Sequence, residues 1–234
     1  MLVDNTHVKN VRKPCKTYAF PIGCPKVREE PMDRVLVEAS QTTPSPEKPL
    51  REQVIDLIAG KAYSRREEPF QLSSGEWSHD YIDCRYAVEE GDDLRMVAEA
   101  VIQLTETLGI PFDAVGGLTL GADSTAHAVA LIARKRWFSV RKEAKKHGKQ
   151  KMIEGAALSA DDRILLVDDV ATTGDSIMKA VHALEDIGAR IVLTVPIVDR
   201  GDLTRSQLEE RGIRYEPVLT YRELGIKPVG RGTA

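Results

Sequence analysis

From residue 114 onward, short apolar runs of strand length alternate with longer amphipathic stretches, and this rhythm restricts the chain more than any other feature. Apolar runs at 114–117, 137–140, 163–167 and 190–198 read as strands, and 214–219 as a last one. Between them, 123–134, 173–187 and 203–211 carry apolar residues at helical spacing. Strands apolar on both faces, each followed by a helix, imply a parallel sheet covered on both sides. In such sheets ligands bind beyond the carboxyl ends of the strands, so the loops after Gly117, Val140, Val167 and Val198 should share one rim.

Upstream, Leu50, Val54, Leu57 and Ile58 share one helical face, and Leu94, Val97, Ala98, Val101, Ile102 and Leu104 share another. Between these helices, 70–88 has a short extended pattern with a strand at 81–83, the mark of a hairpin or small covering element. Residues 1–46 hold six prolines and little apolar periodicity, so they read as an N-terminal extension, partly mobile. The domain is expected over 47–234, with a hood mainly at 62–90 and a core at 91–234.

Composition closes several alternatives. With 42% apolar residues in 234, the chain can bury a core without crosslinks. Three cysteines, Cys15, Cys24 and Cys84, are too few for a disulfide scaffold, and the nine-residue spacing of the first two fits no metal pair. Without a secretory signature, a reducing cytoplasm is the expectation. No window approaches about 18 uninterrupted apolar residues, so no membrane span is expected. The net charge of −3 argues against a general nucleic-acid binder. It hides a local excess: nine basic residues against Glu143 alone between Arg134 and Lys151 give +8 there and leave −11 elsewhere. A cationic block on an acidic protein suits a compact polyanion better than a long phosphate backbone.

The most informative string is RILLVDDVATTGDS at 163–176. An apolar strand emerges into two carboxylates, Asp168 and Asp169, and then a hydroxyl-rich turn opens a helix. Side chains of neighbouring strand residues point to opposite faces, so the two acids can serve one ligand only where the strand ends, which is where the string puts them. Backbone amides from Ala171 through Thr172, Thr173, Gly174, Asp175 and Ser176, with the three hydroxyls, can surround a phosphate at the positive end of the helix. Carboxylates beside a phosphate cradle suit a phosphorylated sugar, whose vicinal hydroxyls donate to the acids.

That string resembles, almost residue for residue, the phosphoribosyl-pyrophosphate motif of type I phosphoribosyltransferases. The resemblance implies their fold: α/β, a central parallel sheet flanked by helices with a small N-terminal hood. In it the paired acids bind the ribose hydroxyls and the following loop binds the 5′-phosphate. The segment RKEAKKHG at 141–148 resembles the mobile catalytic loop of orotate phosphoribosyltransferases in particular. By that resemblance Arg141, Lys142, Lys145 and His147 reach the pyrophosphate, and the chain is a homodimer whose loop at 141–150 acts on the neighbouring subunit.

Three further segments fit the resemblance. FQLSSGEWSHDYIDCR at 70–85 looks like the element that covers the base, VGGLTLGAD at 115–123 like the pyrophosphate loop with Thr119 and Gly121, and Arg200 matches an arginine set against orotate. Some family members carry lysines where Ser73 and Gly121 stand here, so backbone amides, loop cations or Arg85 would have to make those contacts. Asp175 stands where small residues are common, and its carboxylate would have to turn away from the phosphate. The likeness spans about 49–227. It implies transfer of the 5-phosphoribosyl group from phosphoribosyl pyrophosphate to orotate. Mg²⁺ is implied as cofactor, held mainly by substrate and water rather than by a protein metal cage. A phosphoribosyltransferase for another base and a non-catalytic regulator that binds phosphoribosyl pyrophosphate or nucleotide are the alternatives.

Overall fold

The computed structural model describes residues 48–72, 75–143 and 152–230. The expected extension at 1–46 lies outside the described residues. Helix α1 (Leu50–Leu57) runs on into a π-helical turn, Ile58–Ala62, and buries Val54 and Ile58. Strands β1 (Tyr63–Gln71) and β2 (Trp77–Ile82) form an antiparallel hairpin, and a 3₁₀ turn at Cys84–Tyr86 leads into α2 (Gly91–Thr107). The hairpin is larger than the strand expected at 81–83. Its first strand, YSRREEPFQ, is polar and mostly exposed, so it carries no apolar alternation for a sequence pattern to find.

The core follows as β3 (Ala114–Leu118), α3 (Asp123–Ala133), β4 (Arg136–Val140), β5 (Ile153–Gly155), β6 (Arg163–Ala171), α4 (Asp175–Glu185), β7 (Arg190–Asp199), α5 (Leu203–Glu209) and β8 (Leu219–Thr220). These strands make one six-stranded sheet in the order β5-β4-β3-β6-β7-β8. All neighbours are parallel except β5, which pairs antiparallel with β4 at one edge and was not expected. Three residues flanking a basic loop are too short a run to register as a period.

Strand side chains divide between two apolar clusters. Leu165 and Val167 pack toward α2 and α3, while Ile164 and Leu166 pack toward α4. Both faces of β6 are therefore covered, as its continuous apolar run requires. Arg163 fixes the start of the strand: its backbone N–H, Nε and a terminal nitrogen all donate to the Asp113 carboxylate at 2.8–3.0 Å. The arginine holds the Asp113 carboxyl well below the usual carboxylate range.

Two boundaries change the geometry of the site. Strand β6 does not end at Val167; its ladder with β7 continues to Ala171 opposite Asp199, so Asp168 and Asp169 lie within the strand. On its other edge, pairing with β3 stops at Leu166 opposite Gly116, which leaves that side of the acids open to the loop after β3. The last strand is shorter than 214–219: Tyr215 makes an isolated bridge to Thr194, and regular pairing resumes only at Leu219.

Candidate active site

The strand order reverses direction between β3 and β6: from β3 the chain moves outward to β4, and from β6 it moves the other way to β7 and β8. Such a reversal opens a crevice beyond the carboxyl ends of the two central strands. One wall is the loop Thr119 to Ala122, and the other is the turn Thr172 to Gly174 that opens α4. Gly174 takes φ +85, a left-handed conformation that glycine adopts without strain, and so turns the chain sharply from β6 into the helix. The first-turn amides of α4 have no helical acceptors, which makes this turn a ready anion site. Thr172 and Thr173 are half-buried, and Asp175 and Ser176 are exposed on the first turn.

The two acids meet different surroundings. Asp168 is only 4% exposed; burial, reinforced by the Asp169 charge, pushes its carboxyl up to about 8, against an opposing pull from Lys142. Burial also raises Asp169, whose Oδ1 accepts from the Val170 backbone N–H at 2.8 Å and whose field includes Asp83 and Arg85. Asp169 stands directly against the loop after β3. A Cβ at Gly121 would lie 2.6 Å from its Oδ1, so any side chain there, a lysine included, would displace the acid. The glycine is thus matched to the carboxylate across the crevice.

The remaining expected residues fall into three groups. Thr119 is tied into the rim by its backbone N–H, which donates to the Val140 carbonyl at 2.8 Å. Lys142 and Arg141 sit at the base of the loop after β4, where Arg141 donates its backbone N–H to Met152 and faces Glu154 on β5 at 3.6 Å. Lys145, His147 and Ser73 lie outside the described residues. Arg85 holds Asp83 through two parallel bonds of 2.8 and 2.7 Å, on a side chain that is otherwise largely exposed.

Arg200 follows β7, and its backbone N–H donates to the Ala171 carbonyl at 2.8 Å, which joins it to the end of β6, where the turn into α4 begins. Its guanidinium runs beneath the hairpin and donates to the Asp80 carbonyl at 2.9 Å and to Ser78 Oγ at 3.4 Å. Arg200 is 2% exposed, and burial lowers its pKa from the usual arginine value. Its charge therefore lies buried without a carboxylate in direct contact among the described residues, an arrangement that an anionic ligand would complete. The role of Asp80 as a backbone holder of Arg200 carries no sequence signal, because a carbonyl is common to every residue.

The phosphoribosyl transferase domain family matches residues 92–210. The orotate phosphoribosyltransferase of Thermococcus gammatolerans is 40% identical over 155 residues, 66% of this chain and 82% of that protein. This chain belongs to the orotate phosphoribosyltransferase family. The family member from Pyrococcus horikoshii is 33% identical over 175 residues and is covered over 93% of its length. Among solved structures, the Mycobacterium tuberculosis orotate phosphoribosyltransferase in complex with 5-phospho-α-D-ribosyl 1-diphosphate matches with a TM-score of 0.62 at 32% identity, covering 76% of this chain and all of that one. The family fold, a mostly parallel sheet flanked by helices, is the architecture described above, with the antiparallel β5 at its edge. Among the described residues no helix is long and apolar enough to cross a membrane.

Proposed function

We propose that this chain transfers the 5-phosphoribosyl group from phosphoribosyl pyrophosphate to N1 of orotate, giving orotidine 5′-monophosphate and pyrophosphate. The observation that carries the reading is the juxtaposition across one crevice: the Asp168–Asp169 pair and the α4 amide turn on one side, and the Gly121 loop closed onto Asp169 on the other. Arg200 lies at the end of the neighbouring strand.

In this reading the amides and hydroxyls of residues 171–176 hold the 5′-phosphate, while Asp168 and Asp169 accept hydrogen bonds from the ribose hydroxyls. The backbone of Thr119 to Gly121 receives the diphosphate. Arg200 fixes the base through its carboxylate, for which a guanidinium fork is suited. No side chain needs to act as nucleophile, because holding N1 of the base behind the anomeric carbon supplies much of the acceleration. Cleavage of the anomeric bond leaves positive charge on the ribose and builds negative charge on pyrophosphate. Arg141, Lys142, Lys145 and His147 stabilise the latter as it forms. Closure of their loop also excludes the water that would hydrolyse the sugar. We further propose that the loop at 141–150 acts across a homodimer.

Mg²⁺ fits this donor set as a substrate-borne ion. Asp169 presents hard carboxylate oxygens against the diphosphate loop, and diphosphate oxygens with water would complete the coordination. Bound there, the ion would neutralise diphosphate charge.

The test is a spectrophotometric assay of the full chain with orotate, phosphoribosyl pyrophosphate and Mg²⁺. Loss of orotate absorbance is expected. Donor binding without any loss at high enzyme would overturn the reading in favour of a binding protein, and conversion of another base alone would overturn the choice of orotate.

A further inference from the structure

We infer that Glu76 and the segment Val229–Gly230 form a clasp that sets the position of the hairpin over Arg200, which makes Glu76 a positioning residue for the base subsite. The inference rests on the proposed role of Arg200. The Val229 backbone N–H donates to the Arg200 carbonyl at 2.8 Å, and the next amide, Gly230 N–H, donates to Glu76 Oε1 at 2.8 Å beside the hairpin turn. The Arg200 guanidinium meanwhile reaches the Asp80 carbonyl on β2. These bonds close a circuit: arginine side chain, β2, Glu76, the segment Val229–Gly230 and arginine backbone.

The circuit has little slack. Val229 is 4% exposed, and a Cβ at Gly201 would lie 2.1 Å from the Val229 carbonyl oxygen. The tail therefore rests directly on the backbone beside Arg200, at a position that only glycine leaves open. The hairpin depends on such ties, because a two-stranded ribbon has marginal stability of its own and β1 is exposed over most of its length. A base reaching Arg200 must pass under that ribbon, whereas the donor is held by the turns after β3 and β6. The fraction of molecules with the hairpin seated thus enters the apparent affinity for the base and not that for the donor.

Steady-state kinetics on full-length Glu76→Ala and Glu76→Gln separate this role from a merely structural one. If removing the clasp leaves about one hairpin in five seated, Glu76→Ala raises KM for orotate about fivefold, with KM for phosphoribosyl pyrophosphate and kcat within about twofold. Glu76→Gln restores the wild-type value, since an amide oxygen accepts the same N–H. Gly201→Ala, which pushes the Val229 carbonyl away without touching Glu76, gives the same split. Hydrogen exchange on the ligand-free protein shows faster exchange over 76–82 in Glu76→Ala. Equal rises in both KM values, or an unchanged orotate KM with unchanged exchange, would overturn the clasp. Absence of orotate turnover in the wild type would instead overturn the proposed reaction, and the exchange measurement would still decide the clasp.

Discussion

Replacing Asp168 with asparagine should make the ligand-free protein more stable and a poorer binder of its donor. The carboxyl is buried, and burial with the neighbouring Asp169 charge moves it from 3.8 to about 8. Between those values the folded protein retains a proton that the unfolded chain has released, so each pH unit above about 4 costs the fold about 1.36 kcal/mol. By pH 7 that cost is about 4 kcal/mol. The favourable contribution of the protonated acid is complete below the unfolded value and is lost as pH rises toward 8. Asparagine never ionises and avoids the loss, but its buried amide needs partners and gives back about 1–2 kcal/mol. The net expectation at pH 7 is about 2–3 kcal/mol of added stability, which corresponds to about 5–10 °C in the unfolding midpoint for a chain of this size. Urea unfolding of both proteins from pH 4.5 to 9 checks the sign: the gap should be near zero at the acid end and widen up to about pH 8. A gap that does not change with pH, or a wild type that is more stable at pH 8, would refute the assignment of a strained acid. Calorimetric titration supplies the other half, since weaker donor binding in the same variant is the functional cost of removing that strain.

Asp169→Asn, facing Gly121, should raise KM for phosphoribosyl pyrophosphate at least about tenfold, which is about 1.4 kcal/mol of donor binding; an unchanged value in initial-rate assays would discredit the ribose contact. Lys145→Ala should slow the chemical step by orders of magnitude with donor affinity largely intact, as read by single-turnover kinetics. Thr204 is fully buried, and its hydroxyl has no partner among the described residues, so the isosteric Thr204→Val should be neutral or stabilising by about 1 kcal/mol in thermal unfolding. Asp113→Asn loses the charge and one of the two oxygens that accept from Arg163, but that pair is part-exposed and solvent-screened, so the cost at pH 7 is about 1 kcal/mol or less. With its pKa depressed, Asp113 contributes above about pH 4 and ceases to contribute as pH falls through its lowered value, so the difference from wild type should vanish in strong acid.

How much of this was legible in the sequence depends on whether a feature is local. The string at 163–176 announced a strand, two acids and a turn opening a helix because apolar periodicity and turn chemistry are properties of neighbouring residues. The end of β6 was misplaced by the same reasoning. Charged residues look like a strand terminus in sequence, whereas here the β7 ladder carries the backbone on to Ala171, and only the β3 edge is released. That difference explains the strain on Asp168: a carboxylate retained inside a sheet loses water that a loop acid would keep. The pairing of Gly121 with Asp169 could not be read at all, since the two residues are 48 positions apart and a glycine shows only what it lacks. Seen in space, the absent side chain is a condition of the acid's position. The same holds for Arg200, whose placement at a strand end was legible. The backbone carbonyl of Asp80 that holds it, and the two amides of Val229 and Gly230 beyond it, belong to the chain in general and leave no mark in residue identity. Main-chain groups thus supply both the proposed phosphate cradle and the anchorage of the proposed base contact. The residues that specify this architecture are those that permit close approach, Gly121, Gly174 and Gly201, as much as those that carry charge.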